Sequence, residues 1–172
     1  GITGGYHRYF SHRAFKTGRI FQFVLAFIAE SSSQKGALWW ASHHRVHHKI
    51  SDEPGDLHSP VQHGFWYSHF GWLFDDPSQD TRFDKVRDLA KFPELVFLNT
   101  YWLVPVFVVA AIPTLVYGVE GLFVGFFLST VVLWHTTFVI NSVAHVFGNR
   151  RFATTDDSRN HWFLALITFG EG

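Results

Sequence analysis

The run LVFLNTYWLVPVFVVAAIPTLVYGV (Leu95–Val119) contains no charged residue, and GLFVGFFLSTVVLWHTTFVINSVAHVFGN (Gly121–Asn149) follows it with none either. A bilayer's hydrocarbon core, about 30 Å thick, needs about 20 helical residues, so each run is long enough to span it. Pro105 and Pro113 would break a soluble helix but are tolerated in a membrane helix, whose neighbours satisfy the freed carbonyls. Only Gly118-Val119-Glu120-Gly121 divides the runs. The expected fold is therefore all-α and membrane-integral, built on a transmembrane helical hairpin over about 95–147. A buried helix pair in a large soluble enzyme is the alternative, and two such runs back to back make it the weaker one.

The flanks set the expected orientation. Arg82, Lys85, Arg87 and Lys91 precede the first run and Arg150, Arg151 and Arg159 follow the second, while the turn holds no Lys or Arg. The positive-inside rule then places both open ends, with most of the histidines, in the cytoplasm. Upstream, the apolar Ile20–Ala29 is too short to span. With Ala37-Leu38-Trp39-Trp40 it reads as helix lying along the membrane surface, Trp at headgroup level. Ser51–Pro60 (SDEPGDLHSP) is turn-rich, the aromatic His63–Phe74 again suggests interfacial packing, and Asp75–Lys91 is polar. This gives one partial domain over 1–172: an interfacial, His-rich metal-binding cap at 1–91, the hairpin, and a cytoplasmic tail at 148–172.

Composition narrows the class. Charged residues are 16% of the chain, against roughly 25% in an ordinary soluble protein, and aromatics are 19%. Fourteen Lys plus Arg balance fourteen Asp plus Glu, so no basic surplus attracts nucleic acid. The chain has no Cys, which excludes disulfides, iron–sulfur clusters and thiolate zinc sites, and leaves its 12 His as the borderline metal ligands. It has no Met, opens inside a motif and stops at Gly170-Glu171-Gly172. It therefore reads as an internal piece of a longer protein, with any leader or first span outside it.

Three histidine groups stand out: His7 with His12, His43-His44-Arg-Val-His47-His48, and Asn141-Ser-Val-Ala-His145. On a helix His44, His47 and His48 fall at i, i+3 and i+4 and share one face, and Asn141 and His145 are one turn apart. The spacing of five between His7 and His12 is poor for one α-helical face. Either the two serve different metals or their segment is not a regular α-helix. Four His in six residues are hard to explain by packing, and so many imidazoles exceed one tetrahedral zinc site. Two metals, or one with a large surrounding shell, fit better. Beside a membrane and an apolar pocket, such a site points to oxygen chemistry on a lipid, since no side-chain acid or base breaks an unactivated C–H bond. Single histidines such as His69 and His161 read as packing or hydrogen-bonding residues. Asp56 and His58 are candidates to support the ligands, and His135, polar in mid-span, is a possible pocket residue.

The strings GITGGYHRYFSHRAF (Gly1–Phe15), HHRVHHKISDEPGDLHS (His43–Ser59), GFWYSHFGW (Gly64–Trp72) and NSVAHVFGNR (Asn141–Arg150) resemble the membrane-bound fatty acid desaturases, specifically their delta-9 acyl-CoA branch. The resemblance covers essentially the whole chain. It implies two iron ions held by His7, His12, His44, His47, His48 and His145, with Asn141 acting through a water and His43 outside the set. The family's third His box, which follows a Gly-Glu-Gly, is expected beyond Gly172, so this piece alone should be inactive. The implied reaction introduces a cis double bond into a saturated fatty acyl chain, with O2 as co-substrate. Electrons would come from an external ferredoxin or b-type cytochrome, because the chain has no flavin or haem motif. Trp39, Trp40, Trp72 and Phe138 are candidates to line the acyl tunnel. Where acyl-CoA-using relatives carry basic headgroup contacts, this chain has Ser42-His43 and Asp75-Asp76, so a lipid-linked or carrier-linked acyl substrate stands beside acyl-CoA. A hydroxylase on the same scaffold is the enzymatic alternative. A membrane metal-binding or transport protein is the non-enzymatic one, disfavoured because the first run lacks His and acidic residues.

Overall fold

A computed structural model describes residues 1–75 and 80–171. Its helices are a wide-turn π segment at Ile2–Ser11, α1 (Arg19–Glu30), α2 (Ala37–His47), α3 (Pro60–His63), α4 (Phe65–His69), α5 (Arg87–Ala90), α6 (Pro93–Thr100), α7 (Leu103–Glu120), α8 (Ser129–Ser142) and α9 (Trp162–Ile167). A second π segment, Gly121–Leu128, leads into α8, and short 3₁₀ turns cover Gly71–Phe74, Phe83–Lys85 and Val143–His145. The described residues contain no strand, only an isolated bridge between Asn149 and Asn160. They form two compact units, Gly1–Arg45 with Asp80–Leu133, and 46–75 with 134–171.

The first unit is built around the opening π segment. Gly5 lies against α1 so closely that a Cβ there would meet the Ala29 Cβ at 3.2 Å. Glycine thus lets two backbones approach, and the segment buries Ile2, Tyr6 and Phe10 in a core shared with Leu38, Leu95 and Leu98. Tyr9 donates to Gln22 Oε1 (2.8 Å), and Arg19 grips Glu94 with two bonds of 2.6 and 2.8 Å. The buried residues of α1 are Gln22, Ala26, Ala29 and Glu30, spaced as one helical face. Its other side exposes Ile20, Phe21, Val24 and Ile28, the outward apolar stripe expected of a helix lying on a membrane.

The tryptophans of α2 differ from their expected headgroup position. Trp39 is 9% exposed and Trp40 is packed against Tyr6 and His44, so α2 faces the protein and α1 carries the outward apolar surface. Asn99 fixes the start of α2, accepting the Trp39 N–H (2.8 Å) while donating to Thr81 Oγ1 (3.0 Å).

The apolar runs also begin and end differently. One stretch, Leu103–His145, has the length and composition of a membrane span, with mean hydropathy 1.9 and only 17% of its most apolar window buried. Residues 95–100 belong instead to α6, where Leu95, Leu98 and Asn99 are buried in the first unit. The break at Tyr101-Trp102 has a local cause: a Pro105 ring in a continuous helix would clash with the Tyr101 carbonyl. At the far end α8 stops at Ser142, leaving 146–149 outside the helix. Within the stretch, Gly118 adopts φ +60°, ψ −142° and interrupts the helix. Pro113 then comes against Gly121 and Gly125, where a Cβ on Gly125 would lie 2.8 Å from the Pro113 Cβ. Residues 12 apart in a straight helix are about 18 Å apart, so the chain folds back on itself here. Val106, Ala110 and Phe126 pack in the seam, while Phe107, Leu115, Val116 and Val124 face outward.

Candidate metal centre

Wide turns solve the five-residue spacing. In the opening segment the amide of His12 donates to the His7 carbonyl five residues back (3.0 Å), so residues five apart stand one turn apart. The His7 and His12 rings lie 4.4 Å apart, and His44 from α2 completes the group at 4.8 Å from His7 and 5.2 Å from His12. Ligand atoms of all three fall within 4.8 Å of one another, and the Nε2 atoms of His12 and His44 face each other at 3.2 Å. Trp40 stacks on His44 (4.5 Å) and on Tyr6 (5.3 Å), forming the bed of this group. In the His43–His48 run, His43 turns aside to the Asp80 carbonyl (3.1 Å) and lies tilted against Trp39 (4.6 Å).

The second unit uses carboxylates. Past α2, the chain turns through Asp52 (φ +62°) and Gly55 (φ +101°), which folds both aspartates of SDEPGD back. His47 donates from Nδ1 to Asp56 Oδ1 (2.8 Å), and His145 donates from Nδ1 to Asp52 Oδ2 (2.8 Å). A carboxylate only accepts, so each Nδ1 carries the proton, and in a neutral imidazole the lone pair then lies on Nε2. That is the tautomer a metal ligand needs, and carboxylate-backed imidazole is a recurrent ligand arrangement. Asp52 also accepts from Ser59 Oγ (2.6 Å) and the Asp157 amide (2.8 Å), and Asp56 from the Asp52 and His58 amides (2.9 and 3.1 Å). Burial would raise both carboxyls, but these donors outweigh it and hold Asp52 below its ordinary value and Asp56 down to about 2. Both are therefore ionised.

His58 stands 5.5 Å from His47, and His47, Asp56 and His58 present ligand atoms within 4.8 Å of one another. His48, beyond the end of α2, has its ring 5.7 Å from that of His47. Asn141 lies in the last turn of α8, ahead of the 3₁₀ turn that carries His145. Trp72 and Phe138 come together (5.9 Å), with Trp72 edge-on to His58 (4.4 Å), whereas Trp39 and Trp40 belong to the first unit. Asp75 accepts from the Tyr67 hydroxyl, and Asp76 lies outside the described residues.

Two features were not legible as site residues. Asp52 has no spacing signal, and only the positive-φ turn brings it to His145. His69 and His135 each read as isolated, yet they form a chain: Ser142 donates to the Phe138 carbonyl (3.1 Å), His69 Nδ1 to Ser142 Oγ (2.9 Å), and His135 Nδ1 to His69 Nε2 (2.9 Å).

Helices around clustered imidazoles, joined to a long apolar stretch with outward side chains, define a histidine-rich, membrane-associated helical protein. The sequence model of one family, fatty acid desaturase, matches residues 1–172, and the chain belongs to that family. It is 36% identical over 175 residues to the acyl-CoA 5-desaturase AL21 of Anemone leveillei, covering all of this chain and 54% of the relative. It is 34% identical over 176 residues to the sn-2 palmitoyl-lipid 9-desaturase of Nostoc sp. (strain 36), covering all of this chain and 62% of the relative. A probable acyl-CoA desaturase of Schizosaccharomyces pombe is 36% identical over 181 residues, 37% of its own length. The chain thus spans about half the length of the curated relatives it matches.

Proposed function

We propose that this chain is the central part of an O2-dependent acyl desaturase that holds two iron ions through its imidazoles and introduces a cis double bond, at delta-9, into a saturated fatty acyl chain. The observation that carries it is the convergence of His7, His12 and His44, which a π turn brings into one group. His47 and His145, each with Nδ1 on an aspartate, fit the same role in the second unit, with His48 and Asn141 as further members of the set. Neutral imidazole suits iron, and iron with O2 supplies the oxidising power that no side chain has.

The chain's own residues do the rest. Asp52 and Asp56 keep their histidines in the metal-binding tautomer, and Trp72 with Phe138 offers an apolar wall for an acyl chain. The Leu103–His145 stretch, folded back at Gly118, is read as a membrane hairpin, which with the positive flanks puts the histidines on the cytoplasmic side. There a ferredoxin or b-type cytochrome would deliver two electrons per double bond. The relatives are named as desaturases, acting on acyl-CoA or on lipid-bound chains and at positions 5 and 9, which favours desaturation over hydroxylation or metal transport. Acyl-CoA is the default substrate, and acidic Asp75-Asp76 keeps a lipid-linked acyl group beside it. Expression of the full-length protein with saturated substrate, read by metal analysis and mass spectrometry, tests this. Two irons per chain and an unsaturated product are expected; zinc in active protein, or a hydroxylated product, would overturn it.

A further inference from the structure

We propose that Arg45 is a positioning residue that holds the π segment in its wide-turn form and thereby keeps His12 beside His44. The clamp stands on geometry alone; its consequence for metal binding rests on the reading above. Arg45 follows His44 in α2, with its side chain 18% exposed. A guanidinium has five N–H donors, and all five have acceptors here. Nε donates to the Ser11 carbonyl (3.1 Å), and Nη2 donates to the Phe10 carbonyl (2.7 Å) and to Asp88 Oδ2 (3.2 Å). Nη1 donates to the Lys85 carbonyl (2.9 Å) and to Asp88 Oδ1 (2.8 Å). Asp88 is gripped from its other side by Arg13.

Two of these acceptors, Phe10 and Ser11, end the π segment. Terminal carbonyls of a helix have no partner inside it and form its negative end, so a cation there both completes hydrogen bonds and meets the dipole. The need is specific to this segment. π turns are rare and do not persist unsupported, and in an α-helix residues five apart point about 140° away from each other. Relaxation to α-helical turns would swing His12 off the face it shares with His7. Arg45 prevents this by tying the segment's last carbonyls to the helix that carries His44. Lysine cannot replace it, because a single ammonium cannot meet three backbone carbonyls and a bidentate carboxylate in one plane.

The test uses full-length protein in detergent, wild type against Arg45→Lys. Amide hydrogen exchange is followed over residues 7–14, and the metal-free protein is titrated with Co(II) by equilibrium dialysis and visible absorption. The variant is expected to melt within a few degrees of wild type and to exchange at least tenfold faster over 7–14. One Co(II) equivalent should weaken by about 10–100-fold, the range for residues that orient ligands, while the other is unchanged. Unchanged exchange, or two equivalents at wild-type affinity, would overturn the proposal. If Arg45→Lys does not fold, Asp88→Asn loosens the same grip: faster exchange over 7–14 supports the clamp and unchanged exchange sinks it. Should wild type bind no Co(II), the metal reading fails, and the exchange measurement still decides the clamp.

Discussion

The two units support their imidazoles by different physics. In the first, His44 is stacked on Trp40, which is stacked on Tyr6, and His7 and His12 are set by the pitch of their own helix. In the second, His47 and His145 are each aimed by an ionised aspartate from one turn-rich loop. Stacking fixes the plane of a ring but leaves its proton free to sit on either nitrogen. A carboxylate fixes the proton as well. The first group is therefore organised by shape and the second by charge, and substitutions should separate them.

The largest effect is shared by both. His44→Ala or His47→Ala is expected to leave no detectable unsaturated product, with protein still in the membrane fraction, as read by gas chromatography of total fatty acids. Residual product above a few per cent from either would remove that residue from the ligand set. The next effect divides the units. Asp56→Asn and Asp52→Asn should each weaken one metal equivalent by about 10–100-fold, because an amide no longer enforces the Nδ1–H tautomer. The other equivalent should keep its affinity. Equal weakening of both would erase the distinction drawn between the units.

How much of this was legible beforehand follows the same divide. The apolar runs were legible from their lack of charge and their length. The expectation of one face for His44, His47 and His48 came from 3.6 residues per turn, although the structure groups His47 with Asp56 and His58. The His7–His12 pair could not be resolved that way, because a π turn changes the period and leaves no composition signal beyond glycines at 4 and 5. The first apolar run was read too long because charge alone does not show where Pro105 forces a break, nor that Asn99 leaves the apolar stretch to hold α2. Asp52 was invisible because its role depends on a backbone turn joining residues 93 apart.

One carboxyl of the first unit behaves oppositely to the two aspartates of the second, and pH exposes the difference. Asp52 and Asp56 are held ionised, whereas burial of Glu30, outweighing the hydrogen bond from the Ala37 amide, pushes its carboxyl up to about 8. Its Oε2 is buried with no hydrogen-bond partner among the described residues. Below about pH 4.5 Glu30 is protonated whether the chain is folded or not. Between there and about pH 8 the unfolded chain ionises it while the fold holds it neutral, so stability falls as pH rises. Glu30→Gln keeps the acceptor for Ala37 and removes the titration. It is expected to stabilise the protein by on the order of 2 kcal/mol at pH 8, a gain that vanishes near pH 4.5. Parallel melting curves across that range would show that Glu30 is solvated.

The smallest effect decides what Trp40 does. Its ring lies 4.5 Å from His44 and 5.3 Å from Tyr6, and its indole N–H donates to Gln34 Oε1 at 3.3 Å. A stacked aromatic pair contributes about 0.5–1.5 kcal/mol beyond the area it buries. Trp40→Leu should therefore weaken the first metal equivalent by about three- to tenfold, since about 1.4 kcal/mol is one decade. Trp40→Phe preserves the stack and should lie closer to wild type. Neither should move the double bond, because the ring serves the ligands rather than the acyl chain. The expectation that Trp40 lines the tunnel makes the opposite forecast: full metal content, with a shifted double bond or a changed chain-length preference. Product analysis of the two variants beside their metal titrations separates shape support for His44 from contact with substrate.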